Sequence, residues 1–259
     1  MTNQLFINKK IESFDKKIFV SGDKSLSIRW VLLASQATGK SKSYNLLMSE
    51  DVVAALEAVK KLGIKVSIRK GYCEIQGKGI NNFRYKSGLV IDSKNSGTLG
   101  RLLLGLLVKS PVKIKIIGDK SLSKRDFSRV TLPLEKFGAK FFYKLKNKLP
   151  LSILGTKSLK GINYIENKGS AQCKSSVMLA ALNASGTTSI KAKKSRDHTE
   201  LLFKYLKIPI KVRKAKKFDF IDIKKPKKIN AFNYQIPGDI SSSAFFMVLT
   251  TLADNSKLL

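Results

Sequence analysis

Gly22 to Ser27 and Gly118 to Ser123 are the same six residues, GDKSLS, and each is followed two positions later by an arginine, Arg29 and Arg125. Each stretch combines a glycine that permits close approach, an aspartate and serines that cap helices, and a full positive charge. Those are the ingredients of an anion site at a helix N-terminus, where unpaired N–H groups and a partial positive charge face outward. Three more stretches carry the same ingredients: NSGTLGR around Gly97, GSAQCKSS around Ser170, and KSRDHTE around Arg196. One such stretch alone reads as ordinary capping, with Asp23, Asp119 and Lys120 shaping turns or facing solvent. Five of them, all with lysine or arginine, point to a common pocket for a small molecule bearing several negative charges. The eight arginines stand out among fifty basic residues, because lysine cannot reproduce the planar fork that grips a carboxylate or phosphate at two points.

The elements that must position these residues follow from hydrophobic periodicity. Strands are expected at KIFV (17–20), KSYNLL, IKVSIR and YCEIQG, with helices from Ser25 to about Gln36 and in SEDVVAALEAVKKLG. The pattern returns as GLVIDS, a helix from Ser96 through Val108, VKIKIIG, a helix from about Ser123 to Phe137, then AKFFYKL and PLSILG. It returns again as GINYIEN, a helix from Ser170 to Asn183, TTSIKAK, a helix in SRDHTELLFKYL, then PIKVRKA and FDFIDI. Each unit reads βαβαββ, with a period of about 72 residues. The two hexapeptides do not share that period. The first opens the first helix of unit one and the second opens the second helix of unit two, so the identical wording reflects a shared local task.

Composition narrows the class. A length of 259 residues with 43% apolar content describes a folded chain with a real core. MTNQLFINKK has no signal-peptide core and no apolar run reaches the ~20 residues of a membrane span, so a soluble, cytoplasmic protein is expected. Cys73 and Cys173 match no metal or disulfide spacing and read as ordinary thiols. The single His198 has no nucleophile motif around it and reads as structural or supporting. A net charge of +32 raises nucleic-acid binding, but the lysines are spread along the chain without a block or an aromatic-interleaved stretch. ATGKS (37–41) lacks the first glycine of a phosphate loop, Ala34 standing in its place, and follows a helix instead of a strand.

SGDKSLSIRWVLLAS, KNSGTLGRLLLGLL, GDKSLSKRDFSRVTLPLEKFGA, GSAQCKSSVMLAAL, SRDHTE and IPGDISSSAFF together resemble, in order and spacing, the EPSP synthases, or 3-phosphoshikimate 1-carboxyvinyltransferases. The resemblance covers residues 18 to 259. It implies an α/β fold of the enolpyruvyl transferase kind: an inside-out α/β barrel domain of three βαβαββ repeats, at 18–231 (units about 18–83, 84–156 and 157–231). Residues 1–17 would belong with a second such domain, and 232–259 would be the crossover and the start of that domain, which the chain does not continue. The implied reaction moves the carboxyvinyl group of phosphoenolpyruvate to the 5-hydroxyl of shikimate 3-phosphate, releasing phosphate, with no metal or organic cofactor, in a protein that is monomeric at full length.

Carried over by motif position, Lys24 would be catalytic and lie between the substrates. Ser25 and Arg29 would hold the shikimate carboxylate. Gly97 would give phosphoenolpyruvate access to backbone, and Arg125 would bind its phosphate. Ser170, Ala171, Gln172 and Arg196 would meet shikimate 3-phosphate, Gln172 reaching phosphoenolpyruvate as well. Each substrate carries a phosphate of about −1.5 to −2 charges, so their juxtaposition requires cations between them. Three positions depart from the family: Ser21 and Asp126 replace prolines, which alters loop stiffness, and Lys94 replaces a glycine beside the phosphoenolpyruvate pocket. The family's proton-transferring acidic residues fall in the second domain, so this chain alone is expected to turn over little. Two alternatives stay open: a basic nucleic-acid-binding protein, and the UDP-N-acetylglucosamine enolpyruvyl transferases, whose reactive cysteine loop and lysine-loop wording are not seen.

Overall fold

The computed structural model describes residues 12–259. Its elements run β1 (Asp15–Lys16), α1 (Lys24–Gln36), β2 (Thr38–Tyr44), α2 (Glu50–Lys61), β3 (Lys65–Arg69) and β4 (Tyr72–Lys78). They continue with β5 (Val90–Asp92), α3 (Gly97–Leu106), β6 (Ile114–Ile117), α4 (Lys120–Ser123), α5 (Ser128–Glu135), β7 (Lys140–Tyr143) and β8 (Leu151–Leu154). The third set is β9 (Asn163–Glu166), α6 (Ala171–Ala181), β10 (Thr187–Lys193), α7 (His198–Tyr205), β11 (Ile210–Lys214) and β12 (Phe218–Lys224). The last residues form β13 (Asn233–Gln235), α8 (Ile240–Thr251) and β14 (Lys257–Leu258). None of the described helices is long and apolar enough to cross a membrane.

Three four-stranded sheets share one order: β13-β2-β4-β3, β5-β6-β8-β7 and β9-β10-β12-β11. In each, the first pair is parallel and the other two are antiparallel. The sheets lie outside. Their strands alternate buried and exposed residues, as in β10, where Thr188, Ile190 and Ala192 face in while Lys191 and Lys193 face out. The first helices of the units, α1, α3 and α6, lie inside, and in α1 and α6 polar residues are buried along with the apolar ones, as Ser27, Arg29 and Gln36 of α1 and Lys174, Ser175 and Ser176 of α6 are. Leu26 to Gln36 of α1 are buried almost without interruption. This is the three-unit α/β architecture, helices within and sheets without, that the sequence implies.

One strand expectation fails. KIFV is not a strand, and the parallel edge beside β2 is instead β13, whose residues 233–235 were expected in the crossover. The alternation in residues 17–20 is used elsewhere: Ile18 and Val20 face Met247 and Thr250 of α8, and the Ile18 amide donates to the Leu259 carbonyl at 2.9 Å. The N-terminal segment drawn as 1–17 falls partly on residues 1–11, which lie outside the described residues. The chain crosses twice at one place, where Gly22 bridges Gly238 and the amides of Asp23 and Asp239 donate to the carbonyls of Pro237 and Ser21. A β-carbon on Gly22 would collide with the Asn45 carbonyl, so glycine is needed there for room.

A second expectation, one helix over 123–137, is also corrected. The segment is a single turn, α4, then a break, then α5. The Asp126 carboxylate causes the break by accepting from both the Ser128 amide (2.8 Å) and its hydroxyl (2.6 Å). Asp126 therefore does more than change loop stiffness.

The inner helices fix one another. On α3, the backbone of Gly105 meets that of Ser176 on α6, and a β-carbon would strike the Ser176 carbonyl; the Ser176 hydroxyl in turn donates to the Arg101 carbonyl at 2.9 Å. Gly105→Ala is expected to lower the thermal unfolding midpoint, costing about 1–3 kcal/mol through overpacking against backbone that cannot step aside. An unchanged melting curve would show that this crossing is not tight.

Candidate functional site

Both copies of GDKSLS form the same corner. Asp23 accepts from the Leu26 amide at 2.7 Å and Asp119 from the Leu122 amide at 2.6 Å, so the shared wording is first a shared cap. Ser96 and Ser170 cap α3 and α6 by accepting from the amides of Leu99 and Cys173. The first turns of α1, α3, α6 and α7 then open on one pocket of about 340 Å³, lined by Ser25, Arg29, Thr98, Ser170, Ala171, Gln172, Ser195, Arg196 and His198. Larger hollows exist, such as one of about 490 Å³ between α2 and β5, but their walls lack this convergence of helix starts.

Arg29 forms the floor of the pocket and is only 4% exposed. Its Nε donates to Thr199 Oγ1 (2.8 Å), one Nη to the Ser25 carbonyl and the other to Ser175 Oγ (both 3.0 Å). Burial pulls its pKa down to about 10, with Arg196 adding to the fall while Glu200 and Asp23 oppose it; the guanidinium remains charged at neutral pH. Arg196 is exposed at the mouth. Beneath the rim, Lys174 and Glu200 form an ion pair at 2.6 Å with side chains 0% and 4% exposed. Charge holds this pair, since neither Lys174 Nζ nor Glu200 Oε2 has a well-directed hydrogen bond among the described residues.

A second cluster adjoins the first. Gln172 accepts from Arg101 Nη1 at 2.8 Å and donates to Thr98 Oγ1 at 3.0 Å, tying α6 to α3. Arg101 stacks over Phe127, its guanidinium carbon 5.1 Å from the ring centre. Arg125 donates to Asn95 Oδ1 at 3.2 Å. Gly97 lies between the two arginines: a β-carbon there would come within 2.7 Å of Arg101 Nη1 and 3.2 Å of Arg125 Nη1. Burial lowers the Arg101 pKa, with Arg125 and Arg129 adding like-charge repulsion and Asp126 opposing them. Asp126 in turn titrates low despite some desolvation, because the Ser128 hydroxyl and amide, Arg129 and Arg101 favour its anion.

Of the residues singled out from sequence, the structure thus brings Ser25, Arg29, Ser170, Ala171, Gln172 and Arg196 into one pocket and sets Gly97 and Arg125 together beside it. Lys24 does not line the pocket; its Nζ pairs with Asp51 of α2 at 3.1 Å and its side chain is half exposed. Lys94 adopts a left-handed φ of 50°, which explains the family's glycine, and its side chain turns to Asp92 at 3.0 Å.

Thr98, Arg101, Ser195 and His198 carry more of the site than sequence reasoning assigned them. Arg101 had a signal, being one of the few arginines and standing in a helix-start motif. Ser195 Oγ and His198 Nδ1 are shut off from solvent without a partner among the described residues, although both residues line the pocket. Burial holds the His198 imidazole below its ordinary value of 6.5, helped by Arg29 and Arg196 against Asp23 and Asp197.

The sequence profile of EPSP synthase (3-phosphoshikimate 1-carboxyvinyltransferase) matches residues 8–258. A 3-phosphoshikimate 1-carboxyvinyltransferase of Bacillus subtilis is 36% identical over 251 residues, covering 96% of this chain and 57% of the relative. That of Leuconostoc mesenteroides is 39% identical over 243 residues, covering 93% of this chain and 55% of the relative. A solved EPSP synthase structure from Acinetobacter baumannii superposes with a TM-score of 0.85 at 34% identity, covering 95% of this chain and 55% of that one. The chain therefore spans a little over half the length of these relatives.

Because His198 is held neutral in the fold, the unfolded chain binds its proton first as pH falls below 6.5. The stability it contributes is present above that pH and is lost as pH drops through the depressed folded value. His198→Asn is expected to flatten the stability-versus-pH curve on the acid side of 6.5, read by denaturant melts; an unchanged slope would place the imidazole in water.

Proposed function

The chain belongs to the EPSP synthase family, and from that premise we propose that its pocket holds shikimate 3-phosphate, next to phosphoenolpyruvate, for carboxyvinyl transfer. One observation carries this reading: four helix starts and two arginines, one buried and one at the mouth, face a single hollow. In this reading the shikimate carboxylate meets Arg29 and Ser25, and its phosphate meets Arg196, Ser170 and the open amides of α6. Phosphoenolpyruvate takes the neighbouring cluster of Gly97, Arg101 and Arg125, with Gln172 touching both because it already bridges Arg101 and Thr98.

The transfer joins the 5-hydroxyl oxygen to C2 of phosphoenolpyruvate, the hydroxyl giving up its proton and C3 gaining one. The bond from C2 to the phosphate oxygen then breaks as C3 returns a proton, leaving the enol ether and inorganic phosphate. What this chain supplies is electrostatic: two anions brought side by side repel unless fixed positive groups lie between them, and groups already oriented cost nothing to reorganise. Lys24 enters by exchanging partners. A half-exposed pair such as Lys24–Asp51 contributes about 0–1 kcal/mol, so a dianionic phosphate can draw the ammonium away.

We place the protein in the cytoplasm, monomeric at full length and acting on these two small metabolites. Against a nucleic-acid role, exposed lysines stand on all three sheets, as Lys40, Lys65, Lys115, Lys140, Lys191 and Lys211 show, where a nucleic-acid surface gathers them on one face.

Calorimetric titration with shikimate 3-phosphate tests the reading. The parent chain is expected to bind, with affinity falling about 100-fold in Arg29→Ala and about tenfold in Arg196→Ala. Equal binding by all three would contradict it.

A further inference from the structure

Arg29 is held by an arrangement that its neighbours share between two helices. Ser175 of α6 and Thr199 of α7 touch through their hydroxyls at 2.7 Å, and each accepts from the same guanidinium, Thr199 from Nε and Ser175 from an Nη. The adjoining residues, Lys174 of α6 and Glu200 of α7, form the buried ion pair at 2.6 Å. Two rungs thus join α6 to α7 directly against α1, one of hydroxyls and one of charges.

We infer that Ser175 and Thr199 are positioning residues that aim the Arg29 guanidinium into the pocket while leaving its charge unspent. A carboxylate in place of the hydroxyls would orient an arginine equally well, but it would also neutralise it and compete with an incoming anion. Two neutral hydroxyls fix the plane of the fork without that competition. Glu200, the nearest carboxylate in electrostatic effect on Arg29, is already engaged by Lys174, and Arg29 makes no salt bridge among the described residues. Of the five guanidinium N–H groups, three are taken by Thr199, Ser175 and the Ser25 carbonyl, which leaves one on each Nη for a ligand.

Identifying that ligand as the carboxylate of shikimate 3-phosphate rests on the function proposed above. Two measurements separate the two ideas. In titrations with shikimate 3-phosphate, Ser175→Ala and Thr199→Val are expected to weaken binding roughly tenfold or more, Thr199→Ser is expected to restore it, and neither loss should appear in an Arg29→Lys background, where the fork is gone. A role confined to folding would lower affinity equally in both backgrounds and overturn the inference, as would parent-like binding by the single variants. The second measurement needs no substrate: solvent exchange of the Arg29 Nε–H, followed by nitrogen-15 NMR. It is expected to be slow in the parent and to rise at least tenfold in Thr199→Val; equally slow exchange in Thr199→Val would overturn the positioning role. If the parent bound no shikimate 3-phosphate, the functional reading would fall while this exchange rate still decided how Arg29 is held.

Discussion

Helix N-termini repel. Each carries about half a positive charge, and bringing the starts of α1, α3, α6 and α7 to one hollow, with a buried guanidinium beneath them, stores an electrostatic demand that only anions satisfy. The fold meets part of that demand internally. Asp23 caps α1, and Glu200 balances Lys174 below the rim. It also keeps the geometry rigid where repulsion would loosen it: Gly105 lets α3 and α6 touch backbone to backbone, and the outer sheets close round the three inner helices. What remains unsatisfied includes Ser195 Oγ and His198 Nδ1, buried in residues that line the pocket.

Lysine and arginine divide this work by their chemistry. Many lysines stand exposed on strands and loops of the outer surface, where a hydrated point charge on a flexible stem costs little. Arg29, Arg101, Arg125 and Arg196 gather at the pocket and the cluster beside it. Arg101 shows why the fork is needed: it stacks on Phe127, takes the Gln172 carbonyl and leans over Gly97 at once. The large net charge is therefore two separate features, a solvated exterior and a small convergent set within.

Much of this was legible in the sequence because it is local. The helices announce themselves by hydrophobic periodicity, the caps by Asp or Ser three residues before an apolar position, and the three units by their period. What stayed hidden is non-local. The β-rich run at 17–20 cannot say which surface it will cover, and the short NYQ segment of β13 gives no hint that it completes a sheet begun by β2 nearly two hundred residues earlier. The break in the helix expected over 123–137 came from one side chain, Asp126, turning back on Ser128. Ser175 and Thr199 look like ordinary polar residues within helices until α6 and α7 bring their hydroxyls together. Lys24 was read by motif as a substrate ligand, and its pairing with Asp51 depends on where α2 packs.

The central claim is that separate helix starts serve one ligand, and amide hydrogen exchange with and without shikimate 3-phosphate tests it most directly. Protection is expected to rise together in the first turns of α1, α6 and α7, while the outer strands stay unchanged. Protection confined to a single helix start, or appearing on the lysine-rich sheet faces instead, would contradict it.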